Sequence, residues 1–177
     1  MPRSKTSKNI FLIGFMGSGK TTVGRRLAKR LGRDFVDLDE YLEKRLGITI
    51  PQIFTRFGEC FFRDAEYDAL QSVSKKNRQV IATGGGVVLR DENWKLMKKK
   101  GITIYLKASP EVLWSRVKGN TSRPLLQVEN PYKKVLELLS KRNALYEKAD
   151  FIVDTENVSP QNVVEEIERM IKLSFTH

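Results

Sequence analysis

A glycine-rich stretch between an apolar run and an amphipathic pattern constrains the fold of this chain more than any other feature. Residues 14–21 read Gly-Phe-Met-Gly-Ser-Gly-Lys-Thr, which fits the phosphate-binding pattern G-x-x-x-x-G-K-[ST]. The apolar residues 10–13 before it predict a buried strand, and the spacing of Val23, Leu27 and Leu31 after it predicts a helix. Strand, glycine loop and helix in this order predict a P-loop.

The residue types in this loop suit a nucleoside triphosphate bound with Mg²⁺. Glycines allow backbone N–H groups to converge on phosphate oxygens, and the positive end of the helix dipole points at the same anion. Lys20 supplies a charge for the β- and γ-phosphates, and Thr21 offers a hydroxyl to the metal. A dinucleotide-binding turn is disfavoured, because Thr22 stands where its pattern needs a third glycine.

Length and composition predict a single α/β domain over residues 1–177. The chain is 40% hydrophobic and 30% charged, and it has no apolar run near the roughly 20 residues that span a membrane. The lone cysteine, Cys60, excludes an internal disulfide and indicates a reducing compartment. The lone histidine, His177, is the last residue, so histidine-based catalysis is not expected. We therefore expect a cytoplasmic monomer with no membrane partner.

The net charge of +11 leaves two interpretations open. A basic chain can bind nucleic acid, or it can be an enzyme with anionic substrates and a lysine-rich surface. The lysines are scattered, and no basic strip interleaved with aromatic residues suggests stacking on bases. We favour the solvated surface and expect no specific nucleic-acid partner. Residues 1–8 are predicted to form a short basic tail.

Apolar runs typical of strands alternate with helical patterns along the chain, which predicts a parallel sheet covered on both faces. Strands are predicted near 9–14, 34–37, 79–83, 103–107 and 151–154. Helices are predicted near 20–31, 39–47, 50–57, 59–75, 91–99, 110–118, 131–148 and 160–172. Ser-Pro pairs at 109–110 and 159–160 mark two helix starts. The expected fold class is a three-layer α/β/α arrangement with a five-stranded parallel sheet.

Two stretches interrupt this alternation. Residues 39–76 insert several helices between the second and third strands, and residues 119–131 form a polar loop. An insertion and a mobile loop of this kind suit an enzyme that binds two substrates and closes over them. We expect substrate-binding helices over 39–76 and a lid over 119–131.

Asp37 and Asp39 end the second predicted strand as Asp-Leu-Asp. At a spacing of two on an extended segment, both carboxylates face the same side. Ligands of open α/β sheets bind at this carboxyl edge. One carboxylate can assist Mg²⁺, usually through water, and the other can accept a proton from an attacking hydroxyl. Alternatively, Asp39 merely caps the next helix.

Arginines and glycines further along the chain add candidate binding groups. Arg63 lies at helical spacing from Glu59 and Glu66. This arrangement predicts either a surface salt bridge or a guanidinium held ready for a substrate carboxylate. Three consecutive glycines, Gly84, Gly85 and Gly86, follow an apolar run, and they suit close approach of backbone N–H groups to a ligand. A plain turn would need only one or two of them.

The predicted lid is flanked by Arg116 and contains Arg123. An arginine that arrives when a lid closes can offset charge on a transferring phosphoryl group. Arg142 and Tyr146 lie one helical turn apart on the following helix. Taken singly, each of these residues could equally be a solvated surface residue.

Together these motifs resemble those of the shikimate kinase family, small P-loop enzymes of the nucleoside-monophosphate-kinase structural group. The likeness covers nearly the whole chain, and the order and spacing of the motifs after the P-loop make it specific. It is carried by residues 14–22, Asp37-Leu38-Asp39, Gly58-Glu59 with Phe62-Arg63, residues 84–87, Arg123-Pro124-Leu125-Leu126, and Lys141-Arg142 with Tyr146.

The resemblance implies a role for each candidate residue, with Lys20, Asp39 and Arg123 as the catalytic set. The phosphates of ATP would be held by Gly17, Ser18, Gly19, Lys20, Thr21 and Thr22, and Mg²⁺ would be bound at Thr21 and Asp37. Asp39 would bind ring hydroxyls of shikimate. The carboxylate of shikimate would be bound by Arg63 and Arg142. The backbone of Gly84, Gly85 and Gly86 would complete the pocket, and Phe54 and Phe62 would form its apolar wall. Arg123 would contact the phosphates, and Arg116 would lie against the adenine.

The implied reaction is ATP-dependent phosphorylation of the 3-hydroxyl of shikimate, which gives shikimate 3-phosphate and ADP in aromatic amino acid biosynthesis. Two alternatives stay open at the level of the residues. One is a kinase for another acceptor, such as gluconate or a nucleoside monophosphate, since a phosphate would also attract two arginines. The other is a basic nucleic-acid-binding protein that uses ATP as a switch, which predicts strongly salt-dependent binding.

Overall fold

The computed structural model describes residues 7–120 and 122–174. Most of the predicted basic tail therefore lies outside the described residues. The same is true of His177 and of residue 121 in the predicted lid. Ser7 and Lys8, the two described residues of the tail, are exposed.

The described residues form five strands and seven α-helices. The strands are β1 (Asn9–Ile13), β2 (Asp34–Asp37), β3 (Gln79–Ala82), β4 (Gly101–Lys107) and β5 (Phe151–Asp154). The helices are α1 (Lys20–Leu31), α2 (Leu38–Leu46), α3 (Ile50–Val73), α4 (Asp91–Lys100), α5 (Pro110–Val117), α6 (Pro131–Tyr146) and α7 (Pro160–Ser174). Short 3₁₀ turns cover Val87–Leu89 and Pro124–Leu126.

The strands form one parallel sheet in the order β2-β3-β1-β4-β5. The predicted five-stranded parallel sheet with helices on both faces is therefore confirmed. β1 lies at the centre, paired with β3 on one side and β4 on the other. Because all strands run the same way, their carboxyl ends share one edge, where ligands of open α/β sheets bind.

Alternation along β1 shows how the two faces are covered. Ile10 and Leu12 pack with the apolar sides of α1 and α7. Phe11 and Ile13 point to the opposite face, where α2 to α6 pack. All four side chains are fully buried, since a parallel sheet is covered on both faces and its central strand reads as an unbroken apolar run.

Some predicted boundaries shift in the structure. β4 begins at Gly101, two residues before the predicted start. The segments predicted over 50–57 and 59–75 join into α3, which is interrupted at Gly58 by a non-helical backbone (φ 81°, ψ 176°). A positive φ of this size strains any residue with a β-carbon, so glycine allows the break. The break separates the start of α3 from the half that carries Arg63.

The predicted lid loop contains a structured turn. The 3₁₀ turn Pro124–Leu126 places Leu126 against the core, where it is buried. Its neighbour Arg123 enters the cleft described below. In the part of the chain that the structure describes, no helix has the length and apolar character to cross a membrane.

Candidate active site

A cleft of about 510 Å³ opens at the carboxyl edge of the sheet, beside the start of α1. It is bounded by the P-loop, the β2–α2 junction, α3, the glycine loop after β3, the predicted lid and α6. Its charged lining residues are Lys20, Asp37, Asp39, Glu40, Glu43, Arg63, Glu66, Arg123 and Arg142. Of the predicted site residues, all except Ser18 and Arg116 line this one cleft.

The P-loop adopts a conformation that depends on glycine. Gly17 and Gly19 have φ values of 81° and 93°, in the region that residues with a β-carbon rarely adopt. α1 begins directly after Gly19 and has no acidic residue in its first turn. No carboxylate of that turn therefore neutralises the positive end of the helix dipole. The Ser18 N–H donates to the Phe15 carbonyl at 3.1 Å, so it is engaged within the loop.

Lys20 lies at the floor of the cleft, held by the P-loop itself. Its Nζ donates to the carbonyl oxygens of Gly14 at 2.7 Å and Phe15 at 3.0 Å. Burial, reinforced by the Arg123 charge, lowers the pKa of Lys20 to about 8, although Asp39 and Asp37 act in the opposite direction. An ammonium group short of negative partners is well placed to attract a phosphate.

Asp37 has two tasks at the β2–α2 junction. Its Oδ2 accepts a hydrogen bond from the Thr21 hydroxyl at 2.6 Å. Its Oδ1 accepts from the backbone N–H groups of Asp39 at 3.0 Å and Glu40 at 3.2 Å, so Asp37 caps α2. The pair of oxygens at Thr21 and Asp37 fits the hard-oxygen chemistry of Mg²⁺.

A metal at this position would need further ligands. Within residues 7–120 and 122–174, no group of three or more His, Cys, Asp or Glu side chains could hold a metal ion. Mg²⁺ in phosphoryl-transfer sites is typically held by one or two protein oxygens together with substrate phosphates and water. The sparse donor set of Thr21 and Asp37 fits that mode of binding.

The prediction that Asp37 and Asp39 share an extended segment is wrong. β2 ends at Asp37, and Asp39 lies in the first turn of α2. The alternative, that Asp39 caps this helix, is also wrong, because Asp37 is the cap. Asp39 nevertheless lines the cleft. Burial, helped by Asp37, raises the pKa of Asp39, and the nearby Arg123 and Lys20 oppose that rise.

Arg63 is held on α3 by two carboxylates. Its Nη1 donates to Glu66 Oε2 at 2.9 Å, and its Nη2 donates to Glu59 Oε1 at 3.3 Å. Glu66 is only 1% exposed, and its other oxygen has no hydrogen-bond partner among the described residues. Burial raises the pKa of Glu66, and Arg63 opposes that rise. Both predicted ion pairs of Arg63 therefore exist, although the pair with Glu66 is buried and not at the surface, and Arg63 lines the cleft. Its binding of a substrate carboxylate stays a prediction.

The glycine loop after β3 makes room for these side chains. A β-carbon added at Gly84 would lie 2.6 Å from Glu66 Oε1, and one added at Gly86 would collide with the Arg63 guanidinium. At Gly85 the nearest atom, the Met16 nitrogen, would lie 3.4 Å away. A β-carbon at the first or third glycine would therefore have to displace a neighbouring side chain. The predicted approach of this loop to a ligand stays a prediction.

Arg142 is a buried cation in the cleft lining. Its side chain lies on α6, and the residue is 2% exposed. Its guanidinium carbon lies 6.0 Å from the centre of the Phe15 ring. None of the ion pairs formed by the described residues includes Arg142. A buried charge of this kind is costly unless a ligand supplies its counter-ion.

The two arginines around the predicted lid differ in position. Arg123 lines the cleft, and its Nε is buried with no hydrogen-bond partner among the described residues. Arg116 lies outside the cleft lining; it donates to the carbonyls of Gly17 at 3.0 Å and Thr155 at 3.3 Å. Arg116 therefore ties the P-loop to the loop after β5, and its predicted contact with adenine is untested.

Comparisons with known proteins bear on this site. The family model for shikimate kinase matches residues 16–172. A shikimate kinase from Thermodesulfovibrio yellowstonii is 58% identical over 160 residues, which cover 90% of this chain and 92% of that protein. The solved structure of a shikimate kinase from Acinetobacter baumannii, in complex with shikimate, is 39% identical with a TM-score of 0.94, covering 98% of this chain and 97% of that one. The chain belongs to the shikimate kinase family.

Family membership gives the chain its reaction, which is phosphoryl transfer from ATP to shikimate. The expectation drawn from the motifs is thereby confirmed, ahead of the alternatives of another acceptor or a nucleic-acid switch. A second relative, a shikimate kinase from Caldanaerobacter subterraneus subsp. tengcongensis, is 44% identical over 162 residues, covering 92% of this chain and 95% of that protein.

Glu66 is a cleft residue that the sequence motifs do not place in the site. The motifs identify it only as the helical partner of Arg63. Its neighbours on the same face of α3, Phe62, Ala69 and Leu70, are all buried. A single carboxylate on an otherwise apolar helix face is the signal in the sequence that indicates a buried, paired Glu66. Such a group is seldom buried without a partner.

The crowding at Gly86 predicts that a larger residue there would weaken the binding of shikimate but not of ATP. In Gly86→Ala the backbone (φ −97°) accepts alanine, but the new methyl group must push the Arg63 guanidinium aside. We expect the KM for shikimate to rise about tenfold, the free-energy equivalent of one charge-assisted hydrogen bond. The KM for ATP should stay within about twofold. Steady-state kinetics with each substrate varied in turn measures both.

An Arg63→Ala background provides the control for this substitution. If the methyl group acts by displacing Arg63, then Gly86→Ala should cause little further loss once the arginine is absent. A full additional tenfold loss in that background would contradict the displacement.

Proposed function

We propose that the cleft binds ATP at the P-loop and shikimate between α3, α6 and the glycine loop, so that the 3-hydroxyl attacks the γ-phosphorus. The products are shikimate 3-phosphate and ADP. The observation that carries this assignment of roles is the pair of arginines, Arg63 and Arg142, in the same cleft as Lys20. Arg142 in particular is buried without a carboxylate partner among the described residues.

The acceptor carboxylate supplies the missing counter-ion. A carboxylate between Arg63 and Arg142 can accept charge-assisted hydrogen bonds from both guanidinium groups. Glu66 keeps Arg63 in place with its 2.9 Å hydrogen bond. Phe54 and Phe62, whose ring centres are 4.8 Å apart, give the ring of the acceptor an apolar wall in the cleft.

The phosphoryl group passes between positive charges. Lys20 neutralises charge on the β- and γ-phosphates, and Arg123 adds charge from the lid side of the cleft. Phosphoryl transfer has a loose transition state, so positioning and charge neutralisation provide most of the acceleration. Asp39 orients the attacking hydroxyl and accepts its proton, and its raised pKa makes it a better base than an ordinary aspartate.

Thr21 and Asp37 are proposed to hold Mg²⁺ with the nucleotide, Asp37 through water. When bound, the ion neutralises phosphate charge during transfer. Before it binds, Asp37 already fixes the Thr21 hydroxyl through the 2.6 Å hydrogen bond. The oxygen that Thr21 offers is therefore oriented in advance.

The organisation of the chain follows from these roles. We propose that residues 39–76 form the acceptor-binding region, because they carry Asp39, Arg63 and Glu66 in the cleft. Residues 119–131 are proposed to act as the lid that delivers Arg123. The expectations of a cytoplasmic monomer without specific nucleic-acid or membrane partners stay predictions.

ADP release by the purified chain with ATP and Mg²⁺ tests the proposal. Shikimate should stimulate release strongly, whereas gluconate and AMP tested in parallel should not. Asp39→Asn should lower kcat by about two to four orders of magnitude, the range for removing a positioned acid–base group. Asp34→Asn is the matched control, because Asp34 is exposed at the other end of β2.

Each outcome has a defined meaning. Equal stimulation by gluconate or AMP would overturn the carboxylate pocket while leaving the P-loop chemistry in place. Near-normal turnover of Asp39→Asn would remove Asp39 from the catalytic set, leaving positioning and charge neutralisation as the source of the rate.

A further inference from the structure

Tyr146, the last residue of α6, is an anchor for the glycine loop. It is fully buried, and its ring stacks on Tyr105 with ring centres 5.0 Å apart and planes 22° from parallel. Its hydroxyl donates to the Gly85 carbonyl at 2.5 Å, across 61 positions of sequence. Neither the family assignment nor the roles proposed above give this contact a function.

The glycine loop needs such an anchor. Three consecutive glycines have no side chains to pack, and glycine has the largest conformational freedom to lose on folding. Backbone hydrogen bonds from Val87 to Gly84 and from Leu89 to Gly86 hold the carbonyls on either side of Gly85. The Tyr146 hydroxyl holds the central carbonyl of the loop, and its own position is fixed by the stacked rings beneath it.

Tyr146 also lies against Arg142. The two residues are one helical turn apart on α6, and the Arg142 side chain interacts with the Tyr146 hydroxyl. On the other side, a β-carbon added at Gly85 would lie 3.5 Å from Arg142 Nη1. Tyr146, Gly85 and Arg142 therefore form one packed group at the wall of the cleft.

We propose that Tyr146 is a positioning residue, whose hydroxyl fixes the Gly85 backbone and the Arg142 guanidinium in the arrangement that receives the acceptor carboxylate. The inference rests on the proposed function, because it concerns the same acceptor site. Tyr146 acts through Gly85 and Arg142 and needs no contact with shikimate. Removal of its hydroxyl should therefore weaken acceptor binding and leave the nucleotide site intact.

Tyr146→Phe removes the hydroxyl and keeps the stacked ring. We expect the KM for shikimate to rise about tenfold, the loss expected for one hydrogen bond that orders a binding group. The KM for ATP and kcat should stay within about twofold to threefold of the wild-type values. Tyr105→Phe is the matched control, because the Tyr105 hydroxyl meets Asn143 at 3.4 Å and leaves the glycine loop untouched.

A second measurement does not depend on turnover. Hydrogen–deuterium exchange of the amides of residues 84–87 should be several-fold faster in Tyr146→Phe than in wild type, and unchanged in Tyr105→Phe. This readout keeps the inference testable even if the wild-type chain were not stimulated by shikimate, a result that would contradict the proposed function alone.

Three results would overturn the inference. The first is an unchanged exchange rate at 84–87 in Tyr146→Phe. The second is an equal rise in the KM values for shikimate and ATP, which would indicate a general loss of packing. The third is the same shikimate defect in Tyr105→Phe, which would assign the effect to the stacked pair and not to the Tyr146 hydroxyl.

Discussion

Replacing Lys20 by alanine should lower turnover about a thousandfold while the fold stays intact, the scale expected for a charged group that stabilises transferring phosphate. The Lys20 ammonium donates to the carbonyls of Gly14 and Phe15, at 2.7 and 3.0 Å. Lys20 is itself the first residue of α1, and it lines the cleft. Single-turnover ADP formation with saturating ATP and shikimate measures the loss, and circular dichroism checks the fold.

Lys29→Ala provides the control for Lys20→Ala. Lys29 lies in the last turn of the same helix and is exposed, so its removal tests the loss of one α1 lysine without touching the cleft. We expect near-normal turnover for Lys29→Ala. Near-normal turnover for Lys20→Ala as well would contradict the assignment of the P-loop as the nucleotide site.

The lowered pKa of Lys20 adds a pH dependence to this result. Because the pKa of Lys20 in the free protein is about 8, the ammonium is present below that pH and is lost as pH rises above it. Phosphate binding favours the charged form of Lys20. The Kd for ATP should therefore rise as pH increases beyond about 8. Titration calorimetry from pH 7 to 9.5 should show this trend in wild type and a flat profile in Lys20→Met.

Arg142→Met should have opposite effects on acceptor binding and on stability. Loss of the guanidinium removes a charged partner of the acceptor carboxylate, so kcat/KM for shikimate should fall about a hundredfold. Without ligand, the variant should be no less stable than wild type, and we expect stabilisation of about 1 kcal/mol or more. The reason is that Arg142 forms no ion pair among the described residues, and an apolar side chain of similar size replaces this buried charge. Urea unfolding without ligands and steady-state kinetics measure the two effects.

Lys141→Met is the neighbouring control on α6. Lys141 is exposed and paired with Glu137 at 2.9 Å, so its removal should change neither acceptor binding nor stability by a measurable amount. A clear loss of stability in Arg142→Met would show that the arginine already has an adequate partner in the free protein. That result would contradict the assignment of Arg142 as the partner of the acceptor carboxylate.

Local patterns along the chain determined the order of its elements. The apolar run before Gly14 and the apolar spacing after Lys20 place a strand and a helix on either side of the P-loop, and both form as predicted. Ser109 and Pro110 start α5 through a side-chain cap, because a hydroxyl acceptor and a fixed φ suit the first turn of a helix wherever they occur. Signals of this kind depend on neighbours in sequence alone.

Boundaries and side-chain directions were less predictable. A period of two at Asp37 and Asp39 predicted an extended segment, but capping by Asp37 starts α2 one residue earlier than the pattern could show. Asp39 reaches the cleft from a helix instead of a strand. The two carboxylates still share one site, because the end of β2 and the first turn of α2 lie at the same edge of the sheet.

The chemical composition of the candidate site was thus determined by the sequence, from the P-loop lysine to the arginines of α3 and α6. Only the tertiary structure decided which charges are paired. Glu66 is buried with one oxygen unpartnered, Arg142 is buried beside Phe15, and Tyr146 reaches Gly85 across 61 residues. The physical reason is that burial and pairing depend on which distant segments meet when the sheet and its helices pack, and no local period encodes those meetings.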